Sequence, residues 1–208
     1  MIKLCVFDFD STLMDGESID ILASHYGVGS EVSKITSEAM NGQLDFFESL
    51  NKRVSLLKGM SYENVLEYCK NFPLMNGAKE LISYLKSKNI TVAVFSGGFH
   101  EGVDLAQNKL NFDIAFANYL HQKNGILSGF VGGEMMFSNS KGEMLKRLKT
   151  LLKVKDDEVA CVGDGANDLS MFKESKLNIA FCAKEILRQN ATHCVDEKDL
   201  TKIKDIIK

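Results

Sequence analysis

The chain has 208 residues, of which 45% are hydrophobic and 25% charged, with a formal net charge of -3. This length and apolar content suit one domain, or one domain carrying a sizeable insertion, and exclude a disordered chain. The charge gives no reason to expect a nucleic-acid or acidic-membrane partner, and no apolar run reaches the roughly 18 residues that a membrane-spanning helix needs. Cys5, Cys69, Cys161, Cys182 and Cys194 are scattered and form no C-x-x-C pair. They read as buried free thiols of a reducing compartment, not as a zinc site or a disulfide framework. The apolar run before Asp8 is too short for an export signal, so the cytoplasm is the expected location.

In chain order, Ile2 to Phe7 reads as a short buried strand that stops at acids. From about Asp15 to Asn71 the apolar residues take a helical period. Ile19, Leu22, Ala23 and Tyr26 form one stripe, and Val32, Ile35, Ala39 and Met40 a second. Phe46 or Phe47, Leu50, Val54 and Leu57 form a third, and Ser61 stands where it could cap a fourth helix through Val65 and Cys69. Gly27, Gly29, Gly42 and Gly59 fall between these stretches. Beyond Pro73 strands and helices alternate: a helix at 78–85, a strand at 90–95, a helix at 101–110 and a strand at 114–117. A hairpin with an Asn124-Gly125 turn follows. A helix at 141–153, strands at 158–162, 177–182 and 193–195, and the intervening helices complete the chain.

Alternation of this kind implies an α/β fold, a doubly wound parallel sheet of Rossmann-like type with a small β-hairpin. Connections in such sheets run to about 2–6 residues, so the roughly 60 helical residues after the first strand are read as an inserted helical cap. The expected division is a discontinuous core, 1–14 and 76–208, and a cap, 15–75.

Every polar cluster of interest follows the carboxyl end of a strand, where open α/β sheets bind ligands. Asp8 and Asp10, two apart, point the same way. Ser96-Gly97-Gly98 offers a hydroxyl and unhindered N–H groups suited to a phosphate. In Gly163-Asp164-Gly165-Ala166-Asn167-Asp168, two acids and an amide converge. Their oxygens suit a hard cation such as Mg²⁺, and with Asp8 and Asp10 nearby the carboxylates would repel one another without one. Lys141, at the start of its helix, is opposed by the helix dipole, so a purely structural role is less comfortable there.

Together these segments resemble the haloacid-dehalogenase-type phosphatase superfamily, and more closely its phosphoserine phosphatases. The matching motifs are Asp8-Phe9-Asp10-Ser11-Thr12-Leu13, Val94-Phe95-Ser96-Gly97-Gly98-Phe99, Lys141-Gly142-Glu143 and the 163–168 loop. The resemblance covers nearly the whole chain and implies the same core with a helical cap. It makes Asp8 the nucleophile, which becomes phosphorylated, and Asp10 the general acid and base. It implies Mg²⁺ held by Asp8, the backbone carbonyl of Asp10 and Asp164, with Asp168 supporting the metal shell or Lys141. Ser96, Gly97 and Lys141 would cradle the phosphate, and Asn167 would hydrogen-bond the substrate. The implied substrate is the small molecule O-phosphoserine, in the last step of serine biosynthesis. Arg53 would grip its carboxylate, Glu17 its ammonium, and Met40 and Phe46 would cover it.

Two other readings stay open on the sequence. A phosphotransferase would use the same Asp8 intermediate and pass the phosphoryl group to a small alcohol such as homoserine. A phospho-receiver module also phosphorylates an Asp on a doubly wound sheet, but receivers have another motif order, lack the helical insertion and have no use for an acid–base residue at Asp10. A metal-free dehalogenase is opposed by Asp10 and by the 164–168 loop.

Overall fold

The computed structural model describes residues 1–40, the Met40 side chain excepted, and 43–207. Its sheet has the order β4-β3-β2-β1-β5-β6-β7. The strands are β1 Leu4–Phe7, β2 Thr91–Phe99, β3 Ile114–Lys123, β4 Ile126–Gly133, β5 Val159–Gly163, β6 Leu177–Phe181 and β7 His193–Val195. All neighbours pair in parallel except β3 and β4. The helices are α1 Ser18–Tyr26, α2 Gly29–Met40, α3 Phe46–Ser55, α4 Tyr62–Lys70, α5 Ala78–Ser87, α6 His100–Leu110, α7 Ser140–Leu152, and the single turns α8 Leu169–Phe172 and α9 Glu185–Arg188.

β1 is apolar throughout because both of its faces are covered. Cys5 and Phe7 face one way, into a core with Leu81, Ile82 and Leu85 of α5 and Val103 of α6. Leu4 and Val6 face the other way, against Leu145 and Leu148 of α7, Met171 and Phe172 of α8 and Leu187 of α9. The chain builds β2, β3 and β4 on one side of β1 and β5, β6 and β7 on the other. The strand order therefore reverses at β1, and a crevice opens at the carboxyl ends of β1, β2 and β5.

The helical stretch α1–α4 leaves and rejoins the sheet domain at one point. Asp15 N–H donates to Pro73 O at 2.9 Å, Met75 N–H to Leu13 O at 2.9 Å, and Met14 bridges Leu74. At its far end it is tied to the hairpin. Gly59 N–H donates to Leu127 O, Leu127 N–H to Met60 O, and Tyr62 N–H to Gly125 O, at 2.8 to 2.9 Å. This pairing covers the outer edge of β4, which would otherwise be an open template for association.

The structure departs from the sequence reading at definable places. The strand at 114–117 and the first arm of the hairpin are one strand, β3, so the hairpin is the margin of the main sheet and not a separate element. β2 runs on through Ser96-Gly97-Gly98 to Phe99. Ser61 occupies the cap position of α4 but makes no side-chain cap bond; its backbone pairs with Ile126 instead. Gly29 opens α2 and does not end a helix, and Gly42 lies outside the described residues. Of the cysteines, Cys5, Cys69 and Cys161 are buried, but Cys182 is half-buried and Cys194 exposed on the short marginal strand β7. No helix of the described residues is long and apolar enough to cross a membrane.

Candidate active site

β1 ends at Phe7, and the Asp8 N–H still donates to Val162 O of β5 at 2.9 Å. The chain then makes one wide turn, Phe9–Leu13, closed by Met14 N–H to Phe9 O. Inside it Asp10 is extended and Ser11 left-handed, with φ 56. That conformation is uncommon for a residue with a side chain, and here it lets the Asp8 and Asp10 carboxyls reach the same cleft.

The Asp8 Oδ1 accepts the Phe9 N–H at 2.7 Å and the Lys141 ammonium at 2.6 Å. Among the described residues its Oδ2 has only the Asn167 amide, at 3.5 Å. Lys141 comes from the first turn of α7 and lies 2.6 Å from both Asp8 and Asp168. The Asp168 Oδ1 takes Lys141, and its Oδ2 accepts the Asp164 and Gly165 N–H groups at 3.0 Å each. Both oxygens of Asp168 are therefore engaged. The Asp164 carboxylate accepts no hydrogen bond from the described residues. Carboxylate oxygens of Asp8, Asp164 and Asp168 lie within 4.8 Å of one another.

Asp10 is held from two sides. The N–H of Ser18, the first residue of α1, donates to Oδ1 at 2.6 Å, and the Ser96 hydroxyl donates to Oδ2 at 3.3 Å. The Ser96 oxygen in turn accepts the Gly98 N–H at 2.9 Å. A side chain at Gly98 would strike the Asp10 carboxyl and the Ser18 hydroxyl, and one at Gly97 would press on the Phe46 ring. The glycines are there for close approach.

These groups border a cleft of about 120 Å³. Asp8, Asp10, Gly97, Asp164 and Asn167 line it from the sheet side, and Glu17, Phe46 and Arg53 from the helical stretch. Phe46 and Arg53 are seven apart, two turns along α3, and so share one face. Phe47 turns away and stacks on Phe137, with ring centroids 5.2 Å apart. Ser96 and Lys141 are buried behind the lining and act on it through Asp10 and Asp8. The Met40 side chain lies outside the described residues.

The electrostatics follow from burial. It pushes Asp8 well above the usual carboxylate range, Asp168 adds to this, and Lys141 opposes it. Burial also raises Asp10, against its bonds from Ser18 and Ser96. Asp164 is pushed up to about 7 by burial and then by Asp168, and Glu17 to about 7 by burial and then by Asp10. For Lys141 burial works against the charge, but Asp168 and Asp8 outweigh it and raise the ammonium above its ordinary value. Arg53 is lowered by burial, with Asp20 and Glu17 opposing. The cleft thus gathers more acid than base. A hard cation fits it: oxygen ligands are clustered, and the Asp164 carboxylate accepts no hydrogen bond from the described residues.

Sequence reasoning missed Ser18, which anchors Asp10, and Ser11, whose hydroxyl donates to Glu17 at 2.6 Å. It also missed Leu50 and Lys184, which line the cleft. Ser18 left a signal, as a hydroxyl residue opening a helix just beyond the acids, and Leu50 left one as a member of the third apolar stripe.

Residues 2–176 match the family model described as haloacid dehalogenase-like hydrolase. A phosphoserine phosphatase of Campylobacter jejuni subsp. doylei is 67% identical over 207 residues, covering 100% of both chains. One of Methanocaldococcus jannaschii is 48% identical over 206 residues, covering 99% of this chain and 98% of its own. A solved substrate-bound phosphoserine phosphatase complex, 47% identical, superimposes with a TM-score of 0.95 over 100% of this chain and 99% of that one. A phospho-aspartyl intermediate analogue of phosphoserine phosphatase, 48% identical, gives 0.94 with the same coverage. With its acids, lysine and serine gathered at the strand ends, the chain belongs to the haloacid dehalogenase-like hydrolases, in their phosphoserine phosphatase family.

Proposed function

We propose that the protein hydrolyses O-phosphoserine to serine and phosphate with Mg²⁺, through a phosphoryl group carried on Asp8. The observation that carries this reading is the pair Asp8 and Asp10: neighbouring carboxyls in one cleft, one clamped by a lysine and one left to titrate.

Asp8 Oδ2 attacks phosphorus while Oδ1 stays fixed by Lys141 and the Phe9 N–H. The bond from phosphorus to the seryl oxygen breaks, and Asp10 gives that oxygen its proton. Burial raises Asp10 toward the protonated form this step needs. In the second step water attacks the phosphoryl group on Asp8. Asp10, now a carboxylate, takes the water's proton, and the bond to Asp8 breaks to release phosphate. Ser18 and Ser96 hold the Asp10 carboxyl in one orientation through both steps. Asp8, Asp164 and the Asp10 carbonyl are the ligands assigned to Mg²⁺, which when bound offsets phosphate charge. Asp168 holds Lys141 and the 164–165 backbone in place.

In this reading residues 15–75 are a cap over a core of 1–14 and 76–208. Arg53 pairs with the substrate carboxylate and Glu17 with its ammonium, Asn167 hydrogen-bonds it, and Phe46, with Met40, keeps water out. The Gly97 N–H holds the phosphate, and Ser96 fixes the Asp10 carboxyl and the Gly98 N–H beside it. The reading puts the protein in the cytoplasm, where free thiols such as Cys5, Cys69 and Cys161 persist.

The test is phosphate release from L-phosphoserine and from other small phosphomonoesters, with Mg²⁺ and then with EDTA. Strong, metal-dependent preference for phosphoserine is expected. Metal-dependent turnover of the other esters alone would remove the substrate assignment. Transfer of phosphate to added homoserine in place of release to water would favour the phosphotransferase. In the same assay Arg53→Ala is expected to lower kcat/KM for phosphoserine by about 10²-fold, the loss of a charged hydrogen-bonded pair. p-Nitrophenyl phosphate, which has no carboxylate, should change by less than about threefold with this variant, and an equal loss on both would sink the Arg53 assignment.

Metal and pH are linked. Asp164 and Glu17 are pushed up to about 7 in the folded protein, so it holds protons that the unfolded chain releases near pH 4. The metal-free protein therefore loses stability as pH rises from about 4 to about 7. Mg²⁺ binds the ionised carboxylates, so it should raise the melting temperature more at about pH 8 than at about pH 5. Differential scanning calorimetry reads this directly, and equal shifts at both pH values would contradict it.

A further inference from the structure

One cation at the cleft makes no ion pair among the described residues and has no role in the chemistry above. Lys184 stands between β6 and α9, and its N–H donates to the Asp164 carbonyl at 2.9 Å. That bond fastens the loop after β6 to the loop after β5. The side chain is exposed, and it borders both the catalytic cleft and an adjoining recess formed with Asp20, Thr36 and Arg53. Lys184 therefore stands where the sheet side of the mouth meets the helical stretch.

The other two cations of the cleft are committed. Lys141 is buried against Asp8 and Asp168, and the Arg53 Nε–H donates to Ser49 O at 3.3 Å, with Asp20 and Glu17 acting on its charge. Among the described residues Lys184 makes no ion pair. Five acids, Asp8, Asp10, Glu17, Asp164 and Asp168, stand at this end of the sheet. A phosphate monoester arriving as a dianion meets repulsion from them before it reaches Lys141. An exposed cation at the mouth offsets that repulsion at the point of entry, where charges of one sign change association most.

We propose that Lys184 captures the phosphate dianion at the mouth of the cleft and delivers it toward Asp8 and the Gly97 N–H. Its contribution is to substrate and phosphate binding and not to bond breaking. The proposal rests on the phosphoserine reading for its choice of substrate, but inorganic phosphate tests it without turnover.

The experiment compares wild type with Lys184→Ala, Lys184→Glu and Lys184→Arg, all with Mg²⁺. Steady-state kinetics on phosphoserine and calorimetric binding of inorganic phosphate are measured at low and high salt. At about 20 mM ionic strength Lys184→Ala is expected to raise both KM and the phosphate Kd by about tenfold, with kcat within about twofold. Lys184→Glu should be worse, and Lys184→Arg should return to within about threefold of wild type. At about 0.5 M salt the gap between Ala and wild type should shrink to about twofold, because an exposed charge is screened. Unchanged phosphate affinity in the Ala and Glu variants would overturn the proposal. So would a loss that ignores salt, or one confined to kcat, which would make Lys184 a support for Asp164. A wild-type protein inert toward phosphoserine that still needs Lys184 to bind phosphate would remove the substrate reading and leave this inference standing.

Discussion

The Asp8→Asn variant is expected to fold as wild type does and to release phosphate at least about 10⁴-fold more slowly, the scale of loss seen when a covalent nucleophile is removed. Asparagine keeps the shape of the side chain and an oxygen able to accept the Phe9 N–H and the Lys141 ammonium, now at 2.7 and 2.6 Å. What it lacks is the anionic second oxygen, the one that the Asn167 amide approaches at 3.5 Å. The substitution also removes one buried charge whose ionisation burial and Asp168 already oppose. The melting temperature should therefore stay within a few degrees, a shift of about 1 kcal/mol or less. Phosphate release and a melt on the same sample separate the outcomes. A variant keeping a tenth of wild-type activity while fully folded would exclude Asp8 as the phosphorylated group.

Lys141→Ala should be costly to the fold as well as to the reaction. The ammonium is 3% exposed and lies 2.6 Å from two carboxylates. Its loss leaves Asp8 and Asp168 buried and facing each other, and breaking a buried pair in this way costs about 3–5 kcal/mol. For a chain near 200 residues that lowers the melting temperature by roughly 8–15 °C. The deficit should depend on pH. Without Lys141 nothing opposes the burial and the Asp168 charge that raise Asp8, so the folded state holds a proton the unfolded chain has lost. The penalty is therefore smaller at about pH 5 than at about pH 8. Catalysis should fall by about 10²–10³-fold in the fraction that stays folded, the usual effect of removing one preorganised positive group. A penalty under about 1 kcal/mol at pH 8 would mean that Lys141 is not the partner of both acids.

The sheet and its site are legible in the sequence because their signals are local. Apolar runs ending in Asp8-Phe9-Asp10, Ser96-Gly97-Gly98 and Gly163-Asp164 mark strand ends, and strand ends in a doubly wound sheet share one edge. The helical period of the third apolar stripe leaves Phe46 and Phe47 open, and the structure turns Phe46 toward the cleft beside Arg53 and Phe47 onto Phe137. What escapes is long-range. Nothing near Ser61 in sequence announces that its backbone pairs with Ile126, since that bond depends on the hairpin arriving from 65 positions away. Asn118 reads as a break, yet it is a fully buried residue inside β3 whose amide donates to Gly97 O and Met135 O. An asparagine looks like a turn until its partners are known. Lys184 escapes for the same reason: a lysine before a short helix is ordinary unless the loop beneath it carries Asp164.

The junction at Leu13–Asp15 and Pro73–Met75 has a consequence for how the chain assembles. β1 and β2 pair Leu4 with Thr91, so forming them directly closes a loop of about 87 residues. Once Met14 and Leu74 have met, the same pairing closes only about 27. The strand-pairing step then costs about 1 kcal/mol less in closure entropy, the excursion between Met14 and Leu74 having already closed at its own cost. Parallel pairing is slow because such loops must close before contacts repay them. The order of assembly that follows is the helical excursion closing at its base first, with the central strands of the sheet joining across a gap already shortened for them.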